Sequence, residues 1–191
     1  PGSDVITTVE AILSDLHKND KWCVVVPGNH DHLGPGSPYD HLVLSSGVTI
    51  IRTTDGFERI DSIPGIVLYA TAFDADGPNV QKLGPLQIED NGNLPVIVAV
   101  HGSYEPSEGC WDQNAEGSRY CPILSAELKK LKASYVALGH FHSYWQGCKS
   151  PLALYPGTPE GLSIRESGER YVVEVTADTN SASVEKIPVN Q

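Results

Sequence analysis

The stretch Trp22-Cys23-Val24-Val25-Val26-Pro27-Gly28-Asn29-His30-Asp31 decides how this chain folds. Five apolar residues in a row, rich in β-branched valine, read as a short strand buried on both faces. Pro27-Gly28 stops it in a sharp turn, and three polar side chains follow at once. Upstream, Val5, Ile6, Val9, Ile12, Leu13 and Leu16 recur at helical spacing and predict a helix over residues 4–19, with Asp4 as its cap. A helix leading into a buried strand that ends in a polar loop is α/β layout, with chemistry expected at the strand's carboxyl end.

The same unit returns downstream. Val48–Ile51 and Ile66–Ala70 read as shorter strands, and Pro95–Val100 as a second continuous apolar strand that ends on His101-Gly102. A Gly- and Ser-rich loop over 102–122 leads to a short amphipathic helix, Ile123–Leu131. Tyr135–Leu138 is a third buried strand, and it ends on Gly139-His140-Phe141-His142. Beyond residue 150 the pattern predicts short strands at Leu152–Tyr155, Gly161–Arg165, Tyr171–Val175 and Ser183–Ile187, without a helix. The division expected is a core over residues 1–150 and C-terminal strands over 151–191 that complete a second sheet. The chain carries no internal repeat and no low-complexity tract.

At 191 residues, with 40% hydrophobic and 19% charged residues, the chain suits one soluble domain with a substantial core. It has neither a basic-then-apolar leader nor an apolar run of membrane-spanning length, so the reading is a cytoplasmic protein with no membrane partner. The net charge of −11 argues against broad, non-specific attraction to nucleic acid. It leaves a nuclease open, since bound divalent cations supply positive charge where a phosphate sits. Cys23, Cys110, Cys121 and Cys148 form no C-x-x-C pair, which disfavours a structural zinc site. Cys23 reads as a small buried hydrophobe; Cys110 and Cys121 flank a polar loop and either pair or remain thiols. The chain contains no methionine and begins Pro1-Gly2-Ser3, so the native N-terminus is expected elsewhere.

Three predicted strands each end in a histidine-bearing turn. Neighbouring parallel strands bring their carboxyl ends together, so His30, His101, His140 and His142 should converge on one edge of a sheet. Imidazoles gathered beside the amide oxygen of Asn29 suit a borderline metal such as manganese, iron or zinc. Each motif also has an ordinary reading. A His-Gly after a strand is commonly a polar loop, two histidines at spacing two fit an exposed strand end, and Gly-Asn-His-Asp favours turns. The three in this order point to a site.

That order of Gly28-Asn29-His30-Asp31, then His101-Gly102, then Gly139-His140-Phe141-His142 resembles the calcineurin-like metallophosphoesterase superfamily over residues 20–145. The resemblance implies a two-sheet αββα sandwich, incomplete here at the N-terminus. It makes Asn29, His101 and His140 ligands of one metal and His142 a ligand of the other. His30 becomes the catalytic residue at the phosphate, with Asp31 behind it orienting the ring. Tyr155-Pro156-Gly157-Thr158-Pro159-Glu160-Gly161, followed by Ile164-Arg165-Glu166-Ser167-Gly168, resembles the SbcD-type DNA-repair nuclease branch.

The family's first two motifs, an Asp-x-His and a Gly-Asp-x-x-Asp, have no counterpart here. Asp15 and His17 have the first spacing but sit within the predicted helix and follow no strand. The resemblance therefore implies two metals in a complete member, manganese foremost, and at most one here. Activity of this chain is expected to be impaired. The expected substrate is DNA or another phosphodiester, the expected partner a coiled-coil ATPase subunit. A missing strand would bare a sheet edge through which chains could associate. The alternatives are a small-molecule phosphodiesterase or phosphatase, and a non-catalytic remnant used for binding or assembly. Tyr104, Trp111, Tyr120, Tyr144 and Trp145 lie in or near the metal-bearing loops and either pack there or stack on bases.

Overall fold

The computed structural model describes residues 3–44, 46–76, 83–105 and 120–189. Along the chain, helix α1 (Ser3–Lys18) precedes strands β1 (Cys23–Val25), β2 (Val48–Ile50), β3 (Glu58–Ile60), β4 (Val67–Thr71) and β5 (Val96–His101). Strands β6 (Tyr104–Glu105) and β7 (Ile123–Leu124), the single turn α2 (Ser125–Leu128) and strands β8 (Tyr135–Gly139), β9 (Trp145–Lys149) and β10 (Leu152–Tyr155) follow. The last strands are β11 (Tyr171–Ala177) and β12 (Ala182–Pro188). The class is mixed α/β.

Six strands form the main sheet in the order β3-β4-β5-β8-β10-β9. The inner four, β4, β5, β8 and β10, run parallel, and an antiparallel strand flanks each side. Parallel strands are covered on both faces, and side-chain alternation sorts their residues between two cores. Val96, Val98 and Val100 point to one face with Val136, Leu138 and Tyr155, under Leu83, Ile123 and Leu128. Leu68 and Ala70 lie on the other face beneath the parallel pair β1–β2, which contributes Val24, Val26 and Ile51. Further along the same face, the β11–β12 hairpin lays Val173, Val175 and Val184 over Leu152 and Leu154. Between those two covers, Ile97, Ala99 and Ala137 remain half-buried.

The backbone stops α1 by its own chemistry. Asp20 takes φ 56°, its N–H bonds the His17 carbonyl at 3.0 Å, and the Lys21 N–H bonds the Leu16 carbonyl at 3.0 Å. That is a Schellman closure with aspartate in the left-handed position, a conformation short polar side chains tolerate. Asp15 and His17 lie on this helix, and the His17 ring bonds Ser46 Oγ at 2.8 Å.

Several expectations are corrected. The strand expected over 22–26 forms at Cys23–Val25 and is half-buried rather than fully buried, because among the described residues β1 has β2 as its one ladder neighbour. Little of the apolar stripe of α1 covers it: Leu13 is 8% exposed, but Val5 and Ile12 are 54% and 56% exposed. The helix expected over 123–131 shrinks to one turn. Ile123 is drawn instead into the ladder with Ser103, whose carbonyl accepts its N–H at 2.9 Å. The strand expected at Gly161–Arg165 does not form. The Glu166 carboxylate accepts the Leu162 N–H at 3.0 Å and folds that segment onto a 3₁₀ turn at Ile164–Glu166. Strands β3 and β9 carry no sequence signal because edge strands need few apolar side chains. Among the C-terminal strands, β10 enters the main sheet between β8 and β9, and β11 pairs with β12 alone. No helix among the described residues is long and apolar enough to cross a membrane.

This division of burial is checked by urea unfolding. Leu154→Ala, at a fully buried position, is expected to cost about 2–5 kcal/mol. Ile12→Ala should stay within about 0.5 kcal/mol. Equal losses would contradict an exposed face on α1.

Candidate metal centre

The site begins with a register. In the parallel pair β5–β8, His101 lies opposite Gly139, so His140 comes next to His101 at the carboxyl edge of the sheet. Their rings stand 5.3 Å apart, edge to face. Asn29 arrives from the loop after β1. That loop is fastened to the main sheet where the Phe73 N–H bonds the Pro27 carbonyl at 2.9 Å. The result places Asn29 Oδ1 2.7 Å from His101 Nε2.

Two glycines make this approach possible. A Cβ on Gly28 would lie 2.7 Å from both Cε1 and Nδ1 of His101, and one on Gly139 3.1 Å from Nδ1. The side of the ring carrying Nδ1 is thus packed against backbone, and Nε2 is the nitrogen turned to Asn29. His140 holds φ 131°, a backbone region that side-chain-bearing residues rarely adopt and that concentrates at functional sites. Phe141 and Tyr120 pack against its ring at 5.3 and 5.6 Å.

Asp31 lies at the base of the Gly28 turn. Its carboxylate accepts the Gly28 N–H at 2.8 Å and also the Tyr39 hydroxyl. These contacts stiffen the turn that presents Asn29. Burial and the hydrogen bond to Asp31 push the Tyr39 phenol well above its ordinary value.

His101 is held neutral. Burial first, then the neighbouring His140, lowers its pKa from 6.5 to about 4, against a smaller opposing pull from Asp31. A neutral imidazole keeps a lone pair, which is the state a metal needs.

His30 and His142 line the same cleft as Asn29 and His140, a space of about 860 Å³. His30 is exposed at its lip. His142 turns its Nδ1 to Glu166 Oε1 at 2.9 Å. Asn29, His30, His140 and His142 therefore line one cleft, with His101 behind Asn29 and His140, and with His142 bound to the C-terminal tail. Sequence reading missed Glu166 and Arg170 as parts of this site. Their sole signal was the tail segment itself, since nothing in 166–170 shows which carboxylate folds back. Tyr104 and Trp145 stack on each other at 4.3 Å, and Trp145 leans on buried Tyr155 at 5.7 Å, which is packing. Trp111 and Cys110, and with Cys110 the question of a pair with Cys121, lie outside the described residues.

Asn29 Oδ1 stands beside His101 Nε2 with the His140 ring next to them, donor types that suit a borderline divalent cation. Among the described residues no three His, Cys, Asp or Glu side chains gather on a common point. None of these three donors is a carboxylate, and the nearby carboxylates of Asp31 and Glu166 are engaged elsewhere.

No family model matches the chain. The uncharacterized metallophosphoesterase YhaO of Bacillus subtilis (strain 168) is 29% identical to it over 163 residues, covering 80% of this chain and 36% of that protein. The chain thus spans little more than a third of that relative's length. This similarity supports the metallophosphoesterase superfamily, as the three motifs do, and a phosphoester hydrolase at the level of the family.

Two measurements check the geometry. In the metal-free protein, the His101 ring should titrate near 4 by NMR. Because its folded value lies below the unfolded 6.5, stability is expected to fall as pH drops from 6.5 towards 4. A ring titrating at 6.5 would mean that it is not packed this way. Separately, Gly28→Ala should displace the ring and weaken manganese binding by about tenfold or more in a calorimetric titration, with the fold retained.

Proposed function

We propose that this chain belongs to the catalytic part of a divalent-metal-dependent phosphodiesterase. The observation that supports this most is the approach of Asn29 Oδ1 to His101 Nε2 at 2.7 Å with His140 alongside, three donors from three separate elements. In this reading Asn29, His101 and His140 hold one cation, most suitably manganese, with iron or zinc as alternatives, and His142 belongs to a second. Bound there, the metal supplies Lewis acidity and a hydroxide at neutral pH.

The chain's own residues do the rest. The Gly28 turn, braced by Asp31 and Tyr39, presents Asn29 and sets His30 at the mouth of the cleft. From there the His30 ring donates a hydrogen bond to a phosphate oxygen, or a proton to the leaving alkoxide. With no carboxylate among the three donors, this chain binds one metal weakly and hydrolyses slowly. The fold proposed for the complete protein is the two-sheet αββα sandwich, in which further strands cover half-buried Ile97, Ala99 and Ala137.

The substrate proposed is DNA, in the manner of an SbcD-type nuclease that works with a coiled-coil ATPase. The motif order and the Pro156-Gly157 tail support that branch. The net charge of −11 favours the second reading, a small phosphodiester. Cleavage of single- and double-stranded DNA with manganese, beside bis-p-nitrophenyl phosphate hydrolysis, separates them. His30→Ala should lower the manganese-dependent rate by about 10²–10⁴-fold. A variant as active as the parent removes His30 from the mechanism. Absence of both activities at high manganese favours a binding role.

A further inference from the structure

The tail that follows β10 is tied to one residue of the site. Glu166 places Oε1 2.9 Å from His142 Nδ1, and its other oxygen accepts the Leu162 N–H at 3.0 Å. Arg170, 7% exposed, donates to the His142 carbonyl at 2.8 Å and to the Glu166 carbonyl as well. The Thr158 N–H bonds that same His142 carbonyl at 3.1 Å. Gly157, at φ 80°, leaves no room for a Cβ, which would fall 2.8 Å from the His142 carbonyl oxygen. Both the backbone and the ring of His142 are therefore gripped by residues 157–170.

We propose that Glu166 is a positioning residue: it holds the proton of His142 on Nδ1 and so presents the Nε2 lone pair to the cleft. The physical reason is the donor inventory. An ionised carboxylate only accepts, so a neutral imidazole facing it at 2.9 Å must donate from Nδ1, which leaves Nε2 without a proton. An unconstrained neutral imidazole in water keeps its proton mainly on Nε2, the wrong nitrogen for a ring that must give electron density to the cleft. Carboxylates set behind histidines in this way fix ring orientation and raise basicity. The use of that lone pair, as a metal donor or a proton acceptor, rests on the phosphodiesterase reading; the tautomer does not. Arg170 locks the strand of contacts by fixing the carbonyls on either side, so Glu166 has one place to put its carboxylate.

Nitrogen-15 NMR of the metal-free protein reads the tautomer directly. Wild-type His142 should show a protonated Nδ1 and a bare Nε2; the reverse pattern overturns the proposal whatever the variants do. Glu166→Ala should move the ring towards the Nε2-protonated form. Glu166→Gln, which loses the charge but keeps an acceptor oxygen, should stay closer to wild type. Equal shifts in the two variants, or none in Glu166→Ala, would also overturn it. Manganese-dependent hydrolysis of bis-p-nitrophenyl phosphate should fall about ten- to hundredfold in Glu166→Ala. If the tautomer behaves as expected and the wild type hydrolyses nothing, positioning by Glu166 stands and the phosphodiesterase reading fails.

Discussion

The parallel pairing of β5 with β8, in the register that sets His101 opposite Gly139, is the constraint on which the rest depends. A shift by one residue would send every side chain of a strand to the other face. Val96, Val98 and Val100 would leave the core they share with Val136 and Leu138, and His101 would turn away from His140. Burial thus enforces the register, and the register assembles the site. The histidines need no contact of their own to meet, because the hydrophobic alternation beneath them already decides where they stand.

What the core cannot supply, loops provide by close backbone approach. Asn29 follows a strand of a different sheet, and its arrival depends on Pro27 being held by Phe73 and on a glycine at position 28. The Asp31–Gly28–Tyr39 contacts stiffen this turn. On the opposite side, Glu166 and Arg170 fasten the tail to His142. The cleft is therefore built by two local braces around one buried ladder, each made of polar groups hydrogen-bonded to one another. The low pKa of His101 follows from the same economy of space: a ring packed between glycine backbones and another imidazole has no room for water to stabilise a charge.

The unevenness of the structure has a physical basis too. Strands β4, β5, β8 and β10 were legible, or nearly so, because a continuous apolar run has few other places to go. The edges β3 and β9 were not, because polar residues pair in an edge as readily as they solvate a loop. The segment 161–165 shows a local preference overruled by one side chain, Glu166 reaching back to Leu162. Among the described residues, Val5 and Ile12 on α1 and the central strip of Ile97, Ala99 and Ala137 are apolar surface that its own neighbours leave partly open.

By itself the sequence determined the mixed α/β class of the fold and singled out Asn29, His30, His101, His140 and His142 as candidate site residues. Apolar runs ending in histidine turns are local patterns, and their periodicity survives folding. Only the tertiary structure decided that Asn29 touches His101 across 72 positions of chain, that Asp31 braces its own loop, and that Glu166 answers His142. Those facts depend on backbone approach and on which donor finds which acceptor, quantities set by packing in three dimensions and unmarked by any spacing along the chain.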